Sequence, residues 1–303
     1  MNDAIAIYLA AALLLAVAGG AFALMVRFAP ALVADRPDRW HRWGWLLIAL
    51  ALALPAAWHL GGQARRGPAP IELWTGAAGW AGGPALPRVT IRSAATAASA
   101  PVVHIERWAM GAALVFGLGG VLLSTLALLR ERRRLQALCA SLPVVKRVGR
   151  VHLCASDLCP VPFAARVRGR AYIVVPTSLL ADVARLRLVI SHEAQHHRRG
   201  DLLSALGLEV LRVFFFWNPA VASWKRLMAE LQDLACDGQV LRRRAVSAVE
   251  YGHCLLWAAE AAHERRFRLA GARAMAAASN ASLHRRMVAI LREQGGRPRR
   301  WLS

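Results

Sequence analysis

Residues 4–26, AIAIYLAAALLLAVAGGAFALMV, contain no charged side chain and decide the first feature of the fold. As a helix rising about 1.5 Å per residue, this run crosses the roughly 30 Å hydrocarbon core of a bilayer. Two similar runs follow at 43–62 and 108–129, with His59 as their one titratable group. We therefore predict a multi-pass membrane protein with three spans. The alternative, three buried helices of a soluble protein, is disfavoured because such runs are rare away from membranes.

A cleaved signal peptide is a second interpretation of the first run. Asp3 is the single charged residue before it, so the basic segment of a signal peptide is missing. Its apolar core is also longer than signal peptides have. We expect this run to remain as a membrane span.

The charge balance predicts the orientation of the spans. Segments 27–42 and 130–134 are arginine-rich, and such short flanking segments stay in the cytoplasm. The N-terminus and the Gly-, Pro- and Ala-rich loop 61–107 then lie outside. We predict a membrane region at 1–130 and a cytoplasmic region at 131–303, in a bacterial-type inner membrane.

Composition excludes several classes of protein. The 303 residues are 57% hydrophobic with a mean hydropathy of +0.37, which excludes a disordered chain. Five cysteines without a CxxC pair exclude a disulfide scaffold. A net charge of +21 indicates that the binding partner is nucleic acid or anionic lipid. The basic region is tethered to a membrane and has no recognition-helix motif. We therefore expect Arg242–Arg244 and Arg265–Arg266 to contact membrane lipid, and we expect no direct contact with nucleic acid. A membrane-anchored nucleic-acid binder is a weaker alternative.

The second region predicts a small α+β domain. Residues 131–142 should extend the third span as a helix, the β-branched runs 148–154 and 171–175 should be strands, and Thr177 should cap a short helix at 178–184. A further helix begins near residue 184. Later helices are expected at 202–216, 219–244, 248–266 and 283–293.

The run SHEAQHHRRGD at 191–201 contains HExxH. Residues four apart share one helix face, so His192 and His196 can bind one metal ion. Glu193 lies beside them, placed to take a proton from a zinc-activated water. The pattern is short, and the alternative is a solvated helix that carries two histidines. The apolar helical context favours a zinc site.

A zinc site needs a third protein ligand, which we expect on another helix. The run ELQDLACD at 230–237 places Glu230, Asp233 and Asp237 on one helical face. One carboxylate would bind zinc, and one a turn later would orient a ligand histidine. Cys236 is a further possible ligand, although it points about 100° away from Asp237.

Together these residues resemble a known family, the membrane zinc metallopeptidases of the β-lactam-responsive sensor-transducers, the antirepressors of the Bla and Mec systems. The resemblance covers nearly the whole chain, and it rests on three spans, Pro162-Phe163, Tyr172–Pro176, the HExxHxxRxD run from His192 to Asp201, Phe216–Pro219 with Trp224, Ala235–Asp237 with Val240-Leu241, Tyr251, and Leu255-Leu256.

The resemblance implies a mainly α fold, with multi-span membrane helices and a cytoplasmic gluzincin-like α+β zinc protease domain at 131–303. It also implies that the third zinc ligand stands four residues before Asp237. The family has Glu there and this chain has Asp233, whose shorter side chain requires a closer helix. We expect Asp233 to be the third ligand, with Glu230 as the alternative. Asp237 would orient a ligand histidine.

Other residues are expected to support the site rather than to form it. Arg199 and Asp201 should form ion pairs at the end of the zinc helix, and His197 should be structural because it points away from the metal. The apolar stretch 202–224 should lie against the membrane, although Glu209 and Arg212 argue against a simple span.

By resemblance, the function is an endopeptidase that cleaves a cytoplasmic repressor-like protein, or itself, in signal transduction. Members that sense β-lactams carry an extracellular penicillin-binding domain with an SxxK motif, and these residues have no such motif outside the membrane. We therefore expect the signal to enter through the spans, the loop 61–107 or another protein. The alternative is a catalytically degenerate transducer or scaffold. The oligomeric state is left open.

Overall fold

The computed structural model describes residues 2–65, 105–244, 246–264, 273–274 and 280–295. Within these ranges the chain is mainly helical with one small mixed sheet, which confirms the predicted fold class. Most of the predicted outer loop, and the basic pair Arg265–Arg266, lie outside the described residues.

The N-terminal part is helical. Its elements are α1 (Asn2–Phe28), α2 (Pro30–Asp35), α3 (Pro37–Arg65) and α4 (Ile105–Ser141). In the described ranges, three helical stretches are long and apolar enough to cross a membrane: Asp3–Phe28, Pro37–Gly61 and Gly111–Ser141. The three predicted apolar helices are confirmed, and each helix is longer than its uncharged run. The predicted extension of the third is also confirmed, and it stops just before Pro143, as a proline requires.

A mixed sheet follows α4. Its strands are β1 (Val144–Val148), β2 (Val151–Ser156), β3 (Phe163–Val167), β4 (Arg170–Pro176) and β5 (Arg273–Ala274), in the order β1-β2-β4-β3-β5. The strands β2 and β4 run parallel, and the other neighbours are antiparallel. β3 and β4 pack against the helix that carries HExxH, so the sheet supports that helix from one side.

Two local predictions are wrong. Residues 148–154 are not one strand, because Gly149 at φ 58° makes the tight turn that separates β1 from β2. Thr177 caps no helix: residues 177–181 form a 3-10 turn after Pro176, and the Thr177 hydroxyl donates to Asp157. β3 was not predicted, because Arg166 interrupts its apolar run.

Five helices complete the fold. They are α5 (Val183–Arg199), α6 (Asp201–Phe214), α7 (Pro219–Arg244), α8 (Ala248–Glu264) and α9 (Asn280–Gly295). The predicted later helices are confirmed. Asp182 caps α5 by accepting from the Arg185 backbone N–H. Gly200 at φ 74°, a left-handed conformation that glycine adopts without strain, ends α5 and lets α6 leave in a new direction.

The long helix α7 joins the spans to the rest of the molecule, because it packs against α1, α3, α5, α6 and α9. Trp224 of α7 is fully buried, donates from its indole Nε1 to the carbonyl of Leu15 at 3.0 Å, and stacks on Phe22 at 5.3 Å between ring centroids. The first two spans and α7 therefore share one apolar core.

Two adjacent glycines of α1 test this packing. A Cβ atom at Gly19 would lie 2.7 Å from the Trp224 Nε1, whereas one at Gly20 would meet nothing within 4 Å. We expect Gly19→Ala to destabilise the protein by about 1–3 kcal/mol through overpacking. Gly20→Ala should be neutral or slightly stabilising, because alanine favours the helix by roughly 1 kcal/mol. Thermal unfolding of the detergent-solubilised chain measures both, and equal midpoints for the two variants would contradict the packing.

Candidate metal centre

The HExxH helix α5 presents two histidines one turn apart. His192 and His196 are both completely buried, and their rings lie nearly perpendicular, at 81°. Their Nε2 atoms face each other at 3.3 Å. The predicted same-face arrangement is therefore present, with one nitrogen of each ring directed into a common space.

The other ring nitrogen of each histidine is held by an oxygen acceptor. The His196 Nδ1 lies 2.9 Å from Asp201 Oδ2. The His192 Nδ1 lies 2.8 Å from the Tyr251 hydroxyl oxygen, whose own proton is donated to Asp237 Oδ1 at 2.7 Å. Because an ionised carboxylate only accepts, both Nδ1 atoms carry the proton and donate. Neutral rings in this tautomer direct lone pairs from both Nε2 atoms at the same point.

A carboxylate of α7 completes the group. Asp233 Oδ1 lies 3.6 Å from the His196 Nε2. One ligand atom from each of His192, His196 and Asp233 lies within 4.8 Å of the others, and all three residues are buried. Two imidazole nitrogens and one carboxylate oxygen form the donor set that zinc prefers in catalytic sites, so the residues fit a metal ion.

The alternative carboxylate, Glu230, points elsewhere. Both of its oxygens are held by Arg285 of α9, one of them at 2.7 Å from the guanidinium nitrogen. The structure therefore brings Asp233, and not Glu230, to the two histidines.

Glu193 lies in α5 next to His192 and is completely buried. It is the one acidic residue of α5, and it directly follows the first of the two histidines in the sequence.

Cys236 lies behind His196. Its Sγ is 3.5 Å from both the His196 Nδ1 and Asp201 Oδ2, which makes His196, Asp201 and Cys236 a second buried group of possible ligands. Burial, and then the Asp201 carboxylate, raise the pKa of the Cys236 thiol well above its usual value. Because a thiol must lose its proton to bind a metal, this group suits a metal less well than the first.

Asp237 is held by a residue that sequence analysis did not single out. Arg286 of α9 is completely buried and donates to both Asp237 oxygens, at 2.7 and 2.8 Å. Burial alone would raise the pKa of Asp237, but the Arg286 guanidinium brings it well below its usual range. The same guanidinium lies 3.7 Å from Asp233 Oδ2, so it touches two of the site's carboxylates. Tyr251 was noted in sequence only as part of the resemblance.

Arg199 and Asp201, at the end of α5, form the ion pair that the sequence predicts. Arg199 pairs with Asp201 at 3.3 Å and also with Asp38 of α3, which was not predicted. Asp201 has a second role, since the same carboxylate oxygen accepts from His196. His197 points to the sheet, 3.0 Å from the Tyr172 carbonyl, and burial lowers its pKa.

The fold and this donor set define a membrane metallopeptidase. The sequence profile described as BlaR1 peptidase M56 matches residues 8–290, and the chain belongs to that family. The match spans the apolar helices, α5 and the carboxylates of α7, so it includes every residue of the candidate metal centre. No curated relative matches the chain.

Two adjacent arginines of α9 test the role of the buried ion pair. Arg286→Ala leaves the Asp237 carboxylate buried without its partner, which typically costs about 3–5 kcal/mol. Arg285→Ala also removes the partner of a carboxylate, Glu230, but the two side chains are 33% and 9% exposed, so we expect a smaller loss, of about 1–2 kcal/mol. Denaturant unfolding of the two variants measures the difference. Similar losses of unfolding free energy for both variants would show that the Arg286–Asp237 pair stabilises the protein no more than the Arg285–Glu230 pair does.

Proposed function

We propose that the chain is a zinc-dependent endopeptidase embedded in a bacterial-type cytoplasmic membrane, with its site on the cytoplasmic side. The observation that carries this proposal is the convergence of two Nε2 lone pairs with the Asp233 oxygen, while both Nδ1 atoms are engaged. Membership of the BlaR1 peptidase M56 family supports it.

In this proposal His192, His196 and Asp233 hold Zn²⁺. When bound there, the ion would supply Lewis acidity for activating a water and polarising the scissile carbonyl. Glu193 accepts the proton of the attacking water and then donates it to the leaving amine nitrogen. Asp201 and the Tyr251–Asp237 pair keep each imidazole in the tautomer that leaves Nε2 free for the metal.

Aspartate in place of the family's glutamate as third ligand is compatible with this arrangement. Asp233 already lies within 3.6 Å of His196, because α7 packs directly against α5. The Arg286 guanidinium, 3.7 Å from the other Asp233 oxygen, restrains the carboxylate from the opposite side. A close approach of the helices thus compensates for the shorter side chain.

The proposed substrate is a cytoplasmic protein of the repressor type, or the chain itself. The proposed cytoplasmic location is supported by the arginines of segments 27–42 and 130–134, and the same arginines support an N-terminus outside. No direct contact with nucleic acid is proposed.

A second candidate is a transducer or scaffold without peptidase activity. The replacement of the family's glutamate by Asp233 is the observation that favours it. Zinc stoichiometry separates the two: a purified chain without tightly bound zinc, unchanged by Asp233→Ala, would support the scaffold. The peptidase requires about one zinc per chain, reduced by Asp233→Ala and restored by Asp233→Glu.

The catalytic role of Glu193 predicts a selective loss. Glu193→Gln should lower cleavage of a co-expressed candidate repressor, or of the chain itself, by about 10²–10⁴-fold, because the proton acceptor is lost. Bound zinc should remain, since Glu193 is not a ligand. The control is Glu260→Gln, an exposed residue of α8. Equal cleavage by wild type and Glu193→Gln would refute the peptidase assignment.

The Tyr251 hydroxyl predicts a graded effect on metal binding. Tyr251→Phe removes the acceptor nearest to the His192 Nδ1 and should weaken zinc affinity by about 10-fold. Tyr172→Phe, in the sheet, serves as control and should bind zinc like the wild type. Competition with a chromophoric chelator measures both affinities, and unchanged affinity in Tyr251→Phe would exclude an orienting role.

A further inference from the structure

A crevice outside the candidate metal centre lies where α4, the β3–β4 turn and α6 meet. Its cavity volume is about 220 Å³. Arg132, Arg166 and Arg168 form its polar side, and leucines 202, 203 and 206 of α6 form its apolar side. At about 30 Å³ per water molecule, this volume holds roughly seven waters, which is nearer to the size of a lipid headgroup than to that of a folded peptide.

The three arginines carry positive charge that the described part of the chain leaves uncompensated. None of them forms an ion pair with a carboxylate in that part, and the nearby Glu131 pairs instead with Arg134 at 3.0 Å. Three guanidinium groups around one crevice repel one another at close range. An anionic ligand would relieve this repulsion, and guanidinium groups bind phosphate oxygens in a bidentate manner.

Arg168 is held in an unusual backbone conformation at the centre of this group. Its φ is 47°, and Gly169, the other residue of the two-residue turn, has a φ of 79°. Such turns favour asparagine, aspartate or glycine, and an arginine at positive φ costs free energy. The turn nevertheless places the Arg168 side chain at this crevice and at the neighbouring cavity between α4 and the sheet.

The apolar side of the crevice continues along α6. Leu203, Val210 and Phe214 lie on one helical stripe and are 57%, 43% and 53% exposed. At its far end α6 contacts α1, because the Phe214 carbonyl accepts from the Tyr8 hydroxyl at 2.7 Å. The stripe therefore extends from the crevice toward the N-terminal end of the first span, which is the direction that an acyl chain would take through the bilayer.

The crevice also lies at the level in the membrane that lipid headgroups occupy. Arg132 follows the last apolar residue of the third run, Leu129, by less than one helical turn. On the other side, Ser204 of α6 accepts from Trp45 Nε1 at 2.9 Å, near the first residues of the second apolar run. Both neighbours place the arginines at the boundary between the apolar spans and the region of α5.

We propose that this crevice binds an anionic glycerophospholipid from the leaflet on the side of α5. Arg132, Arg166 and Arg168 hold the phosphate, and an acyl chain lies along the exposed stripe of α6. The proposal does not depend on peptidase activity, because none of these residues belongs to the candidate metal centre.

The test uses the full chain in nanodiscs of phosphatidylcholine, alone or mixed with phosphatidylglycerol. Native mass spectrometry counts retained phosphatidylglycerol, and titration gives its apparent affinity. The variant Arg132→Gln/Arg166→Gln/Arg168→Asn should lose affinity by about 100-fold, at about fivefold per charge. The single variant Arg168→Asn, which tolerates positive φ, should lose about fivefold and guards against misfolding of the triple variant.

A matched control removes the same charge elsewhere. Lys146→Gln/Arg147→Gln/Arg150→Asn alters the exposed β1–β2 hairpin, and it should retain phosphatidylglycerol like the wild type. Equal losses in both triple variants would reduce the effect to general surface charge and overturn the proposal. Inorganic phosphate is a separate arm: displacement of the lipid at low phosphate concentration would indicate a site for a free anion and would also overturn it.

Discussion

The structure around the candidate metal centre depends on a single buried carboxylate, Asp237. It accepts from Arg286 of α9 and from Tyr251 of α8, and it lies 3.1 Å from the His192 Nδ1 of α5. One side chain of α7 thus fixes three other helices. A carboxylate at 2% exposure is tolerated only when it is paired and fully hydrogen-bonded, so the four helices must come together in this arrangement for the charge to be buried at all.

The same helix connects this centre to the membrane spans. One part of α7 carries Trp224 and Met228, which pack against α1 and α3, and a later part carries Asp233 and Asp237. Arg199 makes a second connection, because it joins the end of α5 to Asp38 of α3. The candidate metal ligands are therefore held by the first two spans themselves.

Local patterns in the sequence predict most of the elements. Apolar runs predict the spans, the four-residue spacing places His192 and His196 on one face, and helical periodicity predicts the helices from α5 onward. The prediction fails where a single residue changes the backbone, since Gly149 turns one predicted strand into a hairpin. It also misses β3, because a strand interrupted by Arg166 lacks a continuous apolar signal.

The sequence by itself determined the membrane class, the helical order and the pair of candidate metal-binding histidines, because these depend on neighbours within a turn or two of helix. The resemblance favours Asp233 over Glu230 as third ligand, and tertiary structure gives the physical reason: Glu230 is held by Arg285, and Asp233 lies beside the two histidines. Tertiary structure also decided that Arg286, 49 residues from Asp237, neutralises it. Burial and pairing of charge depend on which helices pack together, and that information is spread over the whole chain.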